Sequence, residues 1–325
     1  MSLFPTIFRS TDPGAPVVSG QAGALAALLD AILVDGYGSG ATAKAGLGWT
    51  REFLSPNLRA YRNNPVTGTG YFLRLDDSNA LYGWMRGYES MSAISTGINP
   101  VPTLAQRTDG SLWIKSSAAG AGARSWFAIG NERSLYLFID HTGGGPEYQV
   151  PYFCGDISSY LPGDQHCFAL SQNGLTAYTS GFGSNITFYP SSGSWDVSSL
   201  TTLNSGLYLA RNSSLVAGAL PAGVANMNNT GTTAVWGGGT SNAYYNIPPP
   251  VNGGVISQPG LLLERPFLFR GQYPGLRVPI STLGYGDGWS IEGVVIAKRF
   301  SSSTSGNNSS RNVGEVLFEL DREWE

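Results

Sequence analysis

Between Ser171 and Gly260 only Asp196 and Arg211 carry a formal charge. A stretch of that length cannot be a solvated helical bundle, whose exposed faces need charged side chains at regular spacing. Gly, Ser, Thr, Asn and aromatic residues fill it instead. The bias runs through the whole chain: charged residues are 13%, against a usual level of about 25%, beside 44 glycines and 12% aromatics. Such a mixture is too aromatic for a disordered chain and predicts strands and loops. We therefore expect an α+β chain, mainly antiparallel β. A small N-terminal helix-plus-sheet module, residues 1–105, precedes a larger β-rich, sandwich-like domain, residues 106–325. At 325 residues, neither part needs disulfides to support a core.

A polar surface with so little charge has two readings. It can pack against neighbouring subunits, since contact with protein removes the need for charge. Alternatively it is a sugar-binding face, on which Trp195, Trp236, Tyr244 and Tyr245 stack against pyranose rings. Assembly is the favoured reading, because clustered aromatics more often fill cores and interfaces. Nucleic acid is excluded as a main partner: the net charge is -3 and no basic block is present to displace phosphate counterions.

The run GQAGALAALLDAILVDGYG, from Gly20 to Gly38, is the one clear helical signal. Leu25, Leu28, Leu29, Ile32 and Leu33 recur at the spacing of a single apolar stripe. Ser19 is the expected N-cap, and Gly36 or Gly38 the expected left-handed closure. The run is too short for a membrane span and contains Asp30, so we expect no membrane insertion. It does not read as an export signal either, for Arg9 is the only cation before it. Gly38, Gly40 and Ala43 match a dinucleotide-type GxGxxA. That motif has to follow a strand and open a helix, whereas here it follows a helix and opens a loop.

Further along, YFLRL, SLWIKSS and SWFAIGNERSLYLFIDH read as strands, the last around a turn at Gly130-Asn131-Glu132-Arg133. Thr96 to Thr103 reads as a linker, which sets the boundary near residue 105. WSIEGVVIAKRF and VGEVLFEL form a C-terminal hairpin with a polar loop between them. Around Cys154 and Cys167, strands meeting at Leu161-Pro162-Gly163 would set the two cysteines opposite each other and His166 opposite Gly155. Without an oxidising compartment to favour a disulfide, buried free thiols are expected.

The chain offers little catalytic chemistry. A nucleophile needs a base, and only His141 and His166 supply imidazoles, with no GxSxG elbow. On one strand, His166 and Cys167 would point to opposite faces. His141, Cys154, His166 and Cys167 have metal-ligand chemistry but lack paired ligand spacing. Asp140, Glu147, Asp156, Asp164 and Glu292 could serve a glycosidase, yet nothing distinguishes them from surface carboxylates. Asp76-Asp77-Ser78-Asn79 reads as a turn, not a calcium loop. No catalytic, cofactor or metal residue is assigned, and no cofactor is expected.

Several segments together resemble a family of tailed-bacteriophage virion proteins. They are FRSTDPGAPVVSGQAGALAALLDAILVDGYGSG, GWTREF, NLRAYR, YFLRLDD, RGYESMSAISTGINPVPT, SLWIKSS and SWFAIGNERSLYLFI. The likeness is strongest over residues 6–140, weaker through the Gly/Asn-rich middle, and faint in the C-terminal hairpin. It implies a non-enzymatic structural component assembled in the bacterial cytoplasm and located in the virion, tail-associated at the baseplate, tail tip or neck. The implied partners are other virion proteins and copies of itself. A capsid decoration protein, or a receptor module binding host cell-surface glycan, is the alternative.

Overall fold

A computed structural model describes residues 3–144, 149–171, 207–218, 223–225, 257–264, 268–279, 287–288, 290–291, 293–301 and 313–324. The first strands are β1 (Thr6–Arg9), β2 (Thr50–Ser55), β3 (Leu58–Arg62), β4 (Phe72–Asp76), β5 (Tyr82–Ala93), β6 (Thr96–Val101) and β7 (Ser111–Ile114). Then come β8 (Trp126–Gly130), β9 (Ser134–Ile139), β10 (Val150–Asp156), β11 (Ser158–Ser159), β12 (Phe168–Ser171) and β13 (Leu207–Leu209). The last group is β14 (Gly223–Ala225), β15 (Ser257–Glu264), β16 (Leu268–Pro279), β17 (Ser290–Ile291), β18 (Val295–Ser301) and β19 (Val313–Glu319). Among the described residues every strand pairing is antiparallel, and one short α-helix accompanies them, so the fold is β-rich as the composition requires.

Among the described residues three sheets stack around two cores. The central sheet runs β1-β8-β9-β10-β12-β13. Its side chains alternate between the cores: Leu135, Leu137 and Ile139 enter one, Tyr136 and Phe138 the other. An antiparallel sheet with one wet face shows polar residues at every second position. Strand β9 is buried throughout because both its faces are covered. On one side lie the sheet β2-β3-β4-β5-β6 and the helix; on the other lies the sheet β14-β15-β16-β19-β18-β17, which adds Leu262, Tyr273, Phe318 and Trp324.

Strand β5 is the spine of the helix-side sheet. One edge carries β4, and the other carries β7 and β6 in tandem. Arg86 stands where those two strands part, and its guanidinium donates to the carbonyls of Pro102, Arg107 and Thr108. The fold thus closes the gap with a buried cation whose donors meet carbonyl oxygens.

The helical run is shorter and differently capped than its sequence predicts. Helix α1 spans Ala24–Leu29 and widens into a π-turn over Asp30–Asp35, closed by Gly36 at φ 74°. The wider turn keeps Ile32 and Leu33 on the buried side, and all five stripe residues are fully buried. Gly23, not Ser19, is the N-cap, and it has no capping side chain. The free N–H groups of Leu25 and Ala26 instead donate to one oxygen of Asp77, at 2.8 and 3.0 Å. The cap comes from a residue some fifty positions away, beyond any local sequence pattern. Gly38, Gly40 and Ala43 lie in and beside a 3-10 turn over Gly40–Thr42, with Tyr37 and Lys44 bridged around it, and the π-turn Asp30–Asp35 rather than a strand leads into them.

The boundary expected near residue 105 does not separate two cores. Strand β1 pairs with β8, and β7 pairs with β5, so hydrogen bonding crosses residue 105 in both directions. The segment expected to be a linker, Thr96 to Thr103, is largely β6. Asn131 also gathers distant chain segments, donating to the carbonyls of Leu3 and Trp324. Among the described residues no helix is long and apolar enough to cross a membrane.

Candidate functional site

Four of the reactive side chains singled out in the sequence, Asp156, Asp164, His166 and Cys167, fall on one segment, Asp156 to Cys167, which joins β10 to β12. The expected simple hairpin does not form. Cys154 faces Leu170, three positions beyond the expected Cys167, and His166 lies outside β12. The segment leaves the central sheet to build β11, which pairs with β16 of another sheet. That excursion adds residues to the connection and displaces the register.

The segment ties all three sheets together through its polar groups. Asp156 is buried and accepts hydrogen bonds from the Thr69 backbone N–H at 2.7 Å and the Thr69 hydroxyl at 2.6 Å. Burial pushes its carboxyl up despite those bonds. On the other side, Asp164 forms a buried ion pair with Arg270, their side chains 4% and 1% exposed. The Ser159 hydroxyl donates to Asp164 at 2.6 Å and receives a bond from Arg270 at 2.7 Å. Burial opposes the ionised carboxyl, but the bonds from Arg270 and Ser159 outweigh it and hold Asp164 below its ordinary value.

His166 turns toward the helix-side core. Its Nδ1 is hydrogen-bonded to the Tyr71 hydroxyl at 3.0 Å, and the Tyr71 ring stacks on Phe168 at 5.2 Å. Burial raises the Tyr71 phenol. Beside it, Glu89 binds Arg211 at 2.6 Å and Asn99 at 2.7 Å. Burial opposes its ionised form, yet these two bonds leave its carboxyl below the ordinary value. Cys154 lies in the helix-side core and Cys167 in the other, both free, with their thiols pushed up by burial. A cysteine–histidine nucleophile pair would need a thiolate beside a free imidazole, and this placement provides neither.

The segment's outer side borders an open cleft of about 430 Å³, rimmed by Arg133, Ser159, Tyr160, Asp164, Gln165 and Gln272. Tyr160 is half exposed there. Asp140 lies elsewhere, accepting the backbone N–H groups of Thr142, Gly143 and Gly144. Among the described residues, Asp164 is the one candidate carboxylate bordering the cleft, and it is bound to Arg270, so no glycosidase pair is seen at this rim. Among the described residues no cluster of three His, Cys, Asp or Glu side chains could hold a metal ion. Trp195, Trp236, Tyr244 and Tyr245 lie outside the described residues, as do Glu147 and Glu292.

One pair escaped the sequence reading altogether. Asp76, Ser78 and Asn79 do form the expected turn, with bonds from Ser78 to Asp76 and from Leu81 to Asn79. Asp77 turns inward to the helix and pairs with Lys115, both side chains fully buried. A lysine ending the apolar strand SLWIK was the available signal, since such a cation, once buried, requires an anion.

Comparison with known proteins finds no matching family model and no matching curated protein.

Proposed function

We propose that the chain is a non-enzymatic structural subunit of a tailed-phage particle, associated with the tail at its baseplate, tip or neck. It works by symmetric contact with copies of itself and with other virion proteins. The observation that carries this reading is the use to which the reactive side chains are put. Asp156, Asp164 and His166 tie sheets together, and the two cysteines fill cores, so that chemistry-bearing residues serve rigidity. The likeness of residues 6–140 to virion proteins supplies the setting.

Proteomics of gradient-purified particles tests the reading. The subunit is expected in a copy number set by the three-fold or six-fold symmetry of a tail ring. Gold labelling should fall on the tail; labelling on the head would favour a capsid decoration protein, and absence from particles would remove the proposal.

A further inference from the structure

Lys115 and Asp77 meet where water has been excluded: both side chains are fully buried, and Lys115 Nζ is hydrogen-bonded to Asp77 Oδ1. The main chain holds both partners. The Lys115 N–H donates to Leu81 O, the Asp77 N–H to Asn57 O, and Asp77 O accepts from Gly23. The remaining oxygen, Asp77 Oδ2, receives the two N–H groups of Leu25 and Ala26. This places an amine against one oxygen of a carboxyl whose other oxygen sits between two backbone donors.

We infer that Lys115 and Asp77 condense into an intramolecular amide cross-link.

The arrangement supplies what the reaction needs. Contact with Oδ1 brings Nζ near Cγ, close to the roughly 3–3.5 Å separation from which attack proceeds. Burial favours the uncharged forms of both partners, raising the Asp77 carboxyl and lowering the Lys115 ammonium. Proton transfer from Nζ to Oδ1 gives a neutral amine and a neutral carboxylic acid. The amine lone pair then forms the Nζ–Cγ bond, and negative charge develops on Oδ2. That oxygen already faces the N–H groups of Leu25 and Ala26, the donor geometry that stabilises a tetrahedral oxyanion. One further proton passes from Nζ to the Oδ1 hydroxyl, the Cγ–Oδ1 bond breaks, and Oδ1 departs as water. One C–N bond forms, one C–O bond breaks, and no oxidant or reductant takes part. In water the ionised pair opposes such a condensation; in a buried site the product amide removes two charges that are costly to keep there.

The cross-link would join the end of β4 to the end of β7 beneath the helix, leaving Oδ2 as an amide oxygen on the N–H groups that cap α1. Extension from the two chain ends could then not separate those strands.

Intact-mass spectrometry of the denatured full chain is expected to give a mass lower by one water than the sequence requires. After trypsin, peptide 75–86 should be recovered joined to peptide 108–124, with the bond after Lys115 uncut. Lys115→Arg should restore the full mass. A full-mass wild-type chain cleaved after Lys115 would overturn the inference. So would a dehydrated mass that persists in Lys115→Arg, which would show that the lost water does not come from an amide to Lys115.

Discussion

Adjacent identical residues take opposite roles here: Asp76 accepts a turn N–H at the surface, while Asp77 is buried beneath the helix. Sequence alone treats them alike, because what separates them is which side of β4 each faces and what approaches from distant parts of the chain. Asp156 and Asp164 were equally indistinct, and their roles depend on Thr69 and Arg270, far away in sequence. The Asp164–Arg270 pair gives a measurable consequence. Asp164→Asn should destabilise the chain at pH 7 by about 3–5 kcal/mol, because it leaves a guanidinium buried without its anion. The pH dependence follows from the lowered carboxyl. Its contribution is complete above the ordinary value of 3.8 and is lost as pH falls through the lower folded value. Urea unfolding across that acidic range should therefore show wild type and variant converging as pH falls. Curves that stay parallel would mean that the pair does not titrate with folding.

At the scale of elements, periodicity was informative wherever a core decides the outcome. The stripe Leu25, Leu28, Leu29, Ile32 and Leu33 is buried as its spacing requires, although the backbone beneath it changes from α to π. Strands in LYLFI and WFAIG were legible for the same reason, since apolar residues on both faces imply cover on both sides. Register was not legible at the cysteines. It depends on β11 pairing with β16, and no local rule anticipates a partner more than a hundred positions away. The helix also gives a test. Leu29→Asp would bury an unpaired carboxylate in the helix-side core, a cost above about 4 kcal/mol. The variant should be recovered as insoluble protein, whereas Leu29→Ala should stay folded with a loss of about 2–5 kcal/mol in urea unfolding. A soluble Leu29→Asp chain with a native circular-dichroism spectrum that fails to enter particles would make the stripe an assembly surface instead.

For the whole molecule, the layering explains why a division at residue 105 looked reasonable and why it fails physically. Thr96 to Thr103 has the composition of a linker, and each part contains enough strands for a sheet. Yet the central sheet takes its edge strand β1 from the first part, while its helix-side face is covered by α1 and the β2–β6 sheet, also from the first part. Removing residues 1–105 would expose Leu135, Leu137, Ile139, Val150, Tyr152 and Phe168 together, each now fully buried. It would also strip β7 of its partner strand β5 and Lys115 of Asp77. An apolar face of that size exceeds the few hundred Å² that soluble monomers tolerate. The fragment 106–325, expressed alone, should therefore aggregate, and co-expression with 1–105 should return soluble protein in which the two pieces elute together. A soluble fragment 106–325 with a cooperative thermal transition would show that the second part can close its core without the first. In the intact chain, tryptophan fluorescence and far-ultraviolet circular dichroism should trace one coincident unfolding curve, because the central sheet belongs to both cores and neither can melt while the other keeps it ordered.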